Sequence, residues 1–197
     1  MHSRVLANLL LAGLALGLAA PSAAADKPLP AAPVLPALTL AGTDGASHAL
    51  RAEAAKAKLL VITFFSSKCP CQRAHDPRLR ELWSAWHARG VVFLAVDSEA
   101  DSSLEHDKQQ AKARAYPYPI LADPGGKLAD ALGARYATET MILDAAGHLR
   151  YRGGIDASTV HIRQDGPFFL RDALADLAAG HAPRDDGSKG FGCAIRR

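Results

Sequence analysis

Three short, almost uninterrupted apolar runs punctuate the chain, at residues 59–65, 91–96 and 140–143. Runs without polar alternation predict strands buried on both faces, as in the middle of a mostly parallel sheet. After the first run, Leu79, Leu82, Trp83 and Trp86 recur at helical spacing and predict one apolar helix face, with both tryptophans in the core. Pro70 suits the first helical position, where its missing N–H costs nothing. Pro77 predicts a kink inside the helix and Gly90 its end. Residues 104–115 predict a polar helix with a weak apolar face, stopped by Tyr116-Pro117-Tyr118-Pro119. A short strand at Ile120-Leu121 and a short helix over 127–132 follow. The turn at 144–148 predicts a hairpin with a return strand over 149–152, and Leu170, Leu174 and Leu177 mark a last amphipathic helix within 168–179. Ahead of these lie two short strands, at 37–40 and 47–50, around the turn at 42–45, then one or two helical turns within 51–58. Strands alternating with helices and closed by an antiparallel hairpin predict an α/β fold: a central mixed sheet with helices on both faces.

The ends of the chain read differently. Arg4, an apolar Leu/Ala-rich run over 5–20, Pro21 and Ala23-Ala24-Ala25 form the pattern of a secretory signal over residues 1–25, with cleavage expected after Ala25. The apolar run is short for a membrane span, which needs about 20 residues, and no cysteine follows it to carry a lipid. The mature chain is therefore expected to be periplasmic or secreted, with no stable membrane insertion. Residues 26–36, with four prolines, predict an extended linker, residues 37–179 a single domain, and residues 180–197 a polar, Gly-rich tail. The formal net charge of +3 is spread along the chain, with no basic stripe carrying interleaved aromatics, so nucleic acid is set aside as a partner.

Three cysteines remain: Cys69, Cys71 and Cys193. Three thiols in an exported domain of this size do not make a stapling framework, so a redox or metal role is indicated. Cys69 follows a buried strand and precedes Pro70, which puts its sulfur at a helix N-terminus, where the helix dipole favours thiolate. Lys68 is expected to add a positive charge. Cys69 is therefore the candidate nucleophile. Cys71, two residues on, points to a different helix face, so a Cys69–Cys71 bridge needs a distorted first turn. Cys193 is either a resolving thiol on a mobile tail or a packed small side chain. Ser66 can hydrogen-bond a thiolate or a peroxide oxygen, or serve as an ordinary turn residue. Asp97, Arg135 and Glu139 are candidates to face or tune the thiol, and His75 reads as a surface or packing residue.

This order of elements, with Cys-Pro opening a Pro-containing helix, resembles the thioredoxin fold over about 37–179. Cys69-Pro70-Cys71-Gln72-Arg73-Ala74-His75-Asp76-Pro77 is similar to the Cys-Pro-x-Cys-Arg-Ala-x-x-Pro segment of exported thioredoxin-like reductases, with the second cysteine one residue early. Asp123-Pro124 with Leu128-Ala129, the stretch from Tyr151 to Asp156, and Gly192-Cys193-Ala194-Ile195 resemble a peroxiredoxin-like subgroup of the redoxin family. Two positions depart from the pattern. The stretch Ala137-Thr138-Glu139-Thr140 has no proline where thioredoxins place a cis-proline opposite the nucleophile. Ile62 stands where peroxidases carry a proline, although Ser66 matches the hydroxyl three residues before the cysteine.

The resemblance implies a thiol-dependent oxidoreductase. Cys69 would attack a peroxide or a protein or small-molecule disulfide, Cys71 or Cys193 would resolve the product, and an external thiol reductant would restore the enzyme, with no cofactor or resident metal. Two other readings stay open. One is a copper-binding protein using Cys69, Cys71 and a histidine, His75 being the nearest in sequence; the other is a non-catalytic binding module.

Overall fold

The computed structural model describes residues 34–185 and 192–197; the expected signal segment and most of the expected linker lie outside these. Seven strands form one sheet in the order β2-β1-β5-β4-β3-β6-β7. They are β1 (Thr39–Gly42), β2 (Ser47–Ala49), β3 (Leu59–Phe65), β4 (Val91–Asp97), β5 (Ile120–Ala122), β6 (Thr140–Asp144) and β7 (Leu149–Gly153). β3, β4 and β5 run parallel, and the pairs β3–β6, β6–β7, β1–β2 and β1–β5 are antiparallel, so the sheet is mixed as expected.

All seven residues of β3 are buried, which is why its sequence shows no polar alternation: both pleat faces are covered. Leu60, Ile62 and Phe64 pack on one side with α1 (Leu50–Lys56) and α4 (Lys127–Leu132), through Leu50, Ala54, Leu128 and Leu132. Leu59, Val61 and Phe65 pack on the other with α2 (Pro70–Trp86) and α5 (Phe169–Ala178), through Leu79, Leu82, Leu170 and Leu174. The helix α3 (Leu104–Ala113) lies on this second side through Ala111, and Trp83 and Trp86 pack against it while only partly buried. Helix α2 runs unbroken through Pro77. Among the described residues no helix is long and apolar enough to cross a membrane.

The expected linker ends earlier than residue 36. Val34 bridges to His148, the Leu35 N–H donates to the Gly147 carbonyl (2.9 Å), and Leu35 is fully buried in the core. An extended segment beside the β6–β7 turn finds partners there.

Two buried networks fix α2 and hence the residue at its start. Asp76 accepts from Arg114 (2.6 and 3.0 Å) and from the Tyr116 hydroxyl (2.6 Å). His75 is buried, not on the surface: its Nδ1 lies 2.7 Å from the Cys71 carbonyl and its Nε2 3.1 Å from Asp156, on the loop after β7. Neighbouring residues on α2 thus tie it to the end of α3 on one side and to the β7 loop on the other.

Candidate active site

Cys69 sits where β3 gives way to α2. It is the N-cap of that helix, with extended backbone (φ −82°, ψ 116°), and Pro70 occupies the first helical position. Its own N–H donates to the Ser66 carbonyl (3.3 Å), which closes the turn between strand and helix. The residue is 1% exposed.

What covers it is the end of the chain. The Cys193 N–H donates to Cys69 Sγ at 3.3 Å. This tail is held by backbone pairing to the loop before β6: Ala137 N–H to the Cys193 carbonyl (2.9 Å), Ile195 N–H to the Arg135 carbonyl (2.9 Å), and an antiparallel bridge between Tyr136 and Ala194. Of the two expectations for Cys193, the structure shows a docked residue that remains solvent-exposed. All three cysteines are free thiols.

The thiols differ in acidity. Burial pushes the Cys69 thiol up, but hydrogen bonds from the Cys193 side chain and N–H and from the backbone N–H groups of Gln72 and Cys71 outweigh it. The net result lies below the ordinary thiol value. The opposite holds for Cys193, pushed up to about 12 by burial, by its hydrogen bond to Cys69 and by the charges of Cys69, Cys71 and Glu99. Cys71 is raised too, by burial first and then by the charge and hydrogen bond of Cys69. Cys69 is thus the most acidic of the three thiols and the first to ionise, with its two neighbours placed to donate to it.

Several expected tuning groups do other work. Lys68 pairs with Asp101 at the surface, so its charge is spent there and not on Cys69. Glu139 accepts from Arg135 N–H (2.8 Å) and Tyr136 N–H (3.3 Å) and pairs with Arg152, which shapes the loop that receives the tail. Arg135 is exposed, its guanidinium 6.0 Å from the Tyr136 ring. Both nitrogens of His75 are engaged, so it is not free to complete a copper site, and no group of three His, Cys, Asp or Glu among the described residues could hold a metal ion.

Ser66 is buried and lines a cavity of about 330 Å³ with Lys68, Asp97, Glu99, Asp101 and His106. Asp97, at the end of β4, lines this cavity, whose lining does not include the Cys69 thiol that Asp97 was expected to face or tune. Burial above all, then the charges of Asp107 and Glu99, push its carboxyl up to about 8, against the lowering effect of the Glu99 N–H. Asp107, on α3, is fully buried and neither of its oxygens has a hydrogen-bond partner.

This pair makes stability depend on pH. Between about pH 4 and pH 8 the folded chain keeps a proton on Asp97 that the unfolded chain releases, so stability falls as pH rises through that window. Asp97→Asn removes the ionisation while still accepting from Glu99 N–H and offering a donor toward Asp107. It is expected to raise stability by on the order of 2 kcal/mol near pH 8 and to leave it unchanged near pH 4. Urea denaturation at the two pH values checks this; an equal effect at both would mean that Asp97 is not the titrating group.

The sequence reading missed Glu99, Asp107 and the seat of the tail. A buried strand running into Asp97-Ser98-Glu99 was the signal for the first; the others depend on contacts distant in sequence.

Comparison with known proteins agrees with this construction. The AhpC/TSA family pattern matches residues 32–152, more than half of the chain. The chain belongs to the AhpC/TSA family. No curated protein matches it. Among solved structures, an uncharacterised conserved protein of Geobacillus kaustophilus is similar at 27% identity and a TM-score of 0.74, over 83% of this chain and 90% of that one. The peroxidoxin BcpB of Mycobacterium tuberculosis superposes at 15% identity and 0.54, over 75% and 92%. The thioredoxin domain of a thiol-disulfide oxidoreductase of Bacteroides vulgatus does so at 18% and 0.57, over 76% and 99%. The last two show the fold. This AhpC/TSA member is a thioredoxin-fold redoxin, with both peroxiredoxins and thiol–disulfide oxidoreductases among its structural neighbours.

Proposed function

We propose that this protein is an exported thiol peroxidase in which Cys69 is the peroxidatic nucleophile and Cys193 the resolving thiol. The Cys69 thiolate attacks the peroxide O–O bond, becomes a sulfenic acid and releases an alkoxide or hydroxide that takes up a proton. The Cys193 thiol then displaces water from the sulfenic acid, and a Cys69–Cys193 disulfide forms. An external dithiol reduces it, is itself oxidised to a disulfide, and returns two thiols.

The observation that carries this reading is the hydrogen bond from Cys193 to Cys69 Sγ, which brings the second thiol to the first with the tail already seated. The burial of Cys69 favours a small oxidant over a protein disulfide while the tail is docked. The family favours the same chemistry, and Cys71 stands by as a second thiol for disulfide exchange. The basic start, apolar run and alanine triplet at residues 4–25 support export.

One stoichiometric oxidation with hydrogen peroxide, followed by thiol blocking and mass analysis of a non-reduced digest, tests the assignment. A Cys69–Cys193 bridge is expected as the main product. A Cys69–Cys71 bridge formed instead, with oxidised glutathione as effective as peroxide, would replace this reading with a disulfide-exchange enzyme.

A further inference from the structure

The seat of the tail is built more closely than a resolving thiol requires. At Gly192 a Cβ would stand 1.7 Å from the Ala137 carbonyl oxygen and 2.9 Å from Thr138 Oγ1, so only glycine lets the two backbones approach this far. The receiving loop is shaped to match, with Thr138 at φ +71° and its N–H donating to the Phe64 carbonyl (2.7 Å). Beyond Cys193, Ile195 packs on the core, and Ala100 N–H donates to the Arg196 carbonyl (2.7 Å). Arg196 N–H donates to Glu99 Oε2 (3.2 Å), and Arg197 pairs with Asp130. All of these contacts converge on one outcome, the Cys193 N–H aimed at Cys69 Sγ.

A resolving thiol needs only to arrive; a backbone donor held against sulfur acts before any chemistry. Sulfur accepts a hydrogen bond well as thiolate and weakly as thiol. A contact that is stronger in one state of Cys69 must shift Cys69 toward that state, and by linkage that state must favour the contact. We propose that the Cys193 peptide N–H is a positioning group of the active site: the seated segment 192–197 holds Cys69 as thiolate, and the Cys69 thiolate in turn holds the segment in its seat. The tail is then an activator as well as a source of the second thiol, and it loosens when the sulfur ceases to accept.

The other groups around this sulfur are accounted for. The helix contributes the N–H groups of Cys71 and Gln72, and the Cys71 thiol. The tail contributes the Cys193 thiol as well as its N–H. Glu99 bears on Cys193, Asp97 faces Asp107 and Glu99, and Lys68 is turned to Asp101. Of these, the Gly192–Cys193 peptide alone can be removed without touching the helix start.

The proposal rests on Cys69 being the working thiol, but its test does not use turnover. In a Cys71→Ser/Cys193→Ser background only Cys69 titrates, and the backbone at position 193 keeps its N–H. Adding Gly192→Ala, whose methyl group has no room against Ala137, unseats the segment. Thiolate absorbance and the rate of alkylation by iodoacetamide are followed against pH. Gly192→Ala is expected to raise the apparent Cys69 pKa by about one unit, a tenfold fall in thiolate fraction at pH values below it. An unchanged pKa overturns the proposal, and a chain ending before Gly192 must behave as Gly192→Ala does.

The reciprocal arm is hydrogen exchange at Ala137 and Ile195, two of the amides that donate across the seat. Cys69→Ala, which removes the acceptor without adding bulk, is expected to lower their protection severalfold. Unchanged protection there overturns the coupling. Absence of peroxide turnover, with the pKa shift present, would sink the peroxidase reading and leave this one standing.

Discussion

Cys69→Ser is expected to abolish peroxide turnover, with a loss on the order of 10³-fold or more. A serine hydroxyl at that position does not ionise near neutral pH and cannot pass through a sulfenic acid or a disulfide. The surroundings of Cys69 are arranged around sulfur as an anion: donors from the start of α2 and from the tail outweigh its burial. Serine is smaller and still accepts hydrogen bonds, so the fold should survive and the comparison with wild type remains clean. The assay is consumption of hydrogen peroxide with an excess of dithiol reductant. Without reductant, Cys193→Ser should consume about one equivalent of peroxide and stop at the Cys69 sulfenic acid, where the wild type goes on to the Cys69–Cys193 disulfide. Sustained turnover in Cys69→Ser would show that the reacting group lies elsewhere. A Cys69–Cys71 disulfide in Cys193→Ser treated with peroxide in the absence of reductant would pass the resolving role to Cys71.

The placement of Cys69 was legible because it depends on local signals. A continuous apolar run marks β3, and a cysteine followed by proline marks the start of a helix; the thiol falls between them whatever the rest of the chain does. The two-sided burial of β3 and β4 and the hairpin of β6 and β7 follow from the same kind of pattern. What failed to show in the sequence depends on pairing between distant residues. The tail reads as polar and Gly-rich, and its Gly192-Cys193-Ala194-Ile195 motif carries a resemblance but does not say that residues 193–195 pair by backbone hydrogen bonds with residues 135–137. Adjacency misled for Lys68, which lies beside Cys69 in sequence while its ammonium group turns to Asp101. Spacing from Cys69 left His75 a surface or packing residue but could not reveal Asp156, which takes it into the interior. Leu35 was hidden by its prolines, since an extended chain looks the same in sequence whether or not it finds a partner.

Loss of Arg114 is expected to cost the fold about 3–5 kcal/mol, because it strands a buried carboxylate. Asp76 and Arg114 are both buried, and the guanidinium also lies 4.8 Å from the Phe65 ring. In Arg114→Met, Asp76 keeps only the Tyr116 hydroxyl at 2.6 Å and the Gln72 amide at 3.4 Å. The charge that compensated its burial is gone. The pair itself is not a large net gain: Arg114 Nη1 and Gln72 Oε1 are buried without partners, so the network already carries a desolvation cost. Replacing both charges, as Asp76→Asn with Arg114→Met, should therefore recover most of the loss, and a double-mutant cycle by chemical denaturation measures the difference. A cost below about 1 kcal/mol for Arg114→Met alone would show that water reaches Asp76 when the arginine leaves. The consequence for chemistry follows from position. Asp76 lies on the α2 turn next to Gln72, whose N–H faces the Cys69 sulfur, so a loosened Asp76 lets the helix start drift from the thiolate. Arg114→Met should then raise the Cys69 pKa as well as lower stability, while the double variant, with α2 packed again, restores both together.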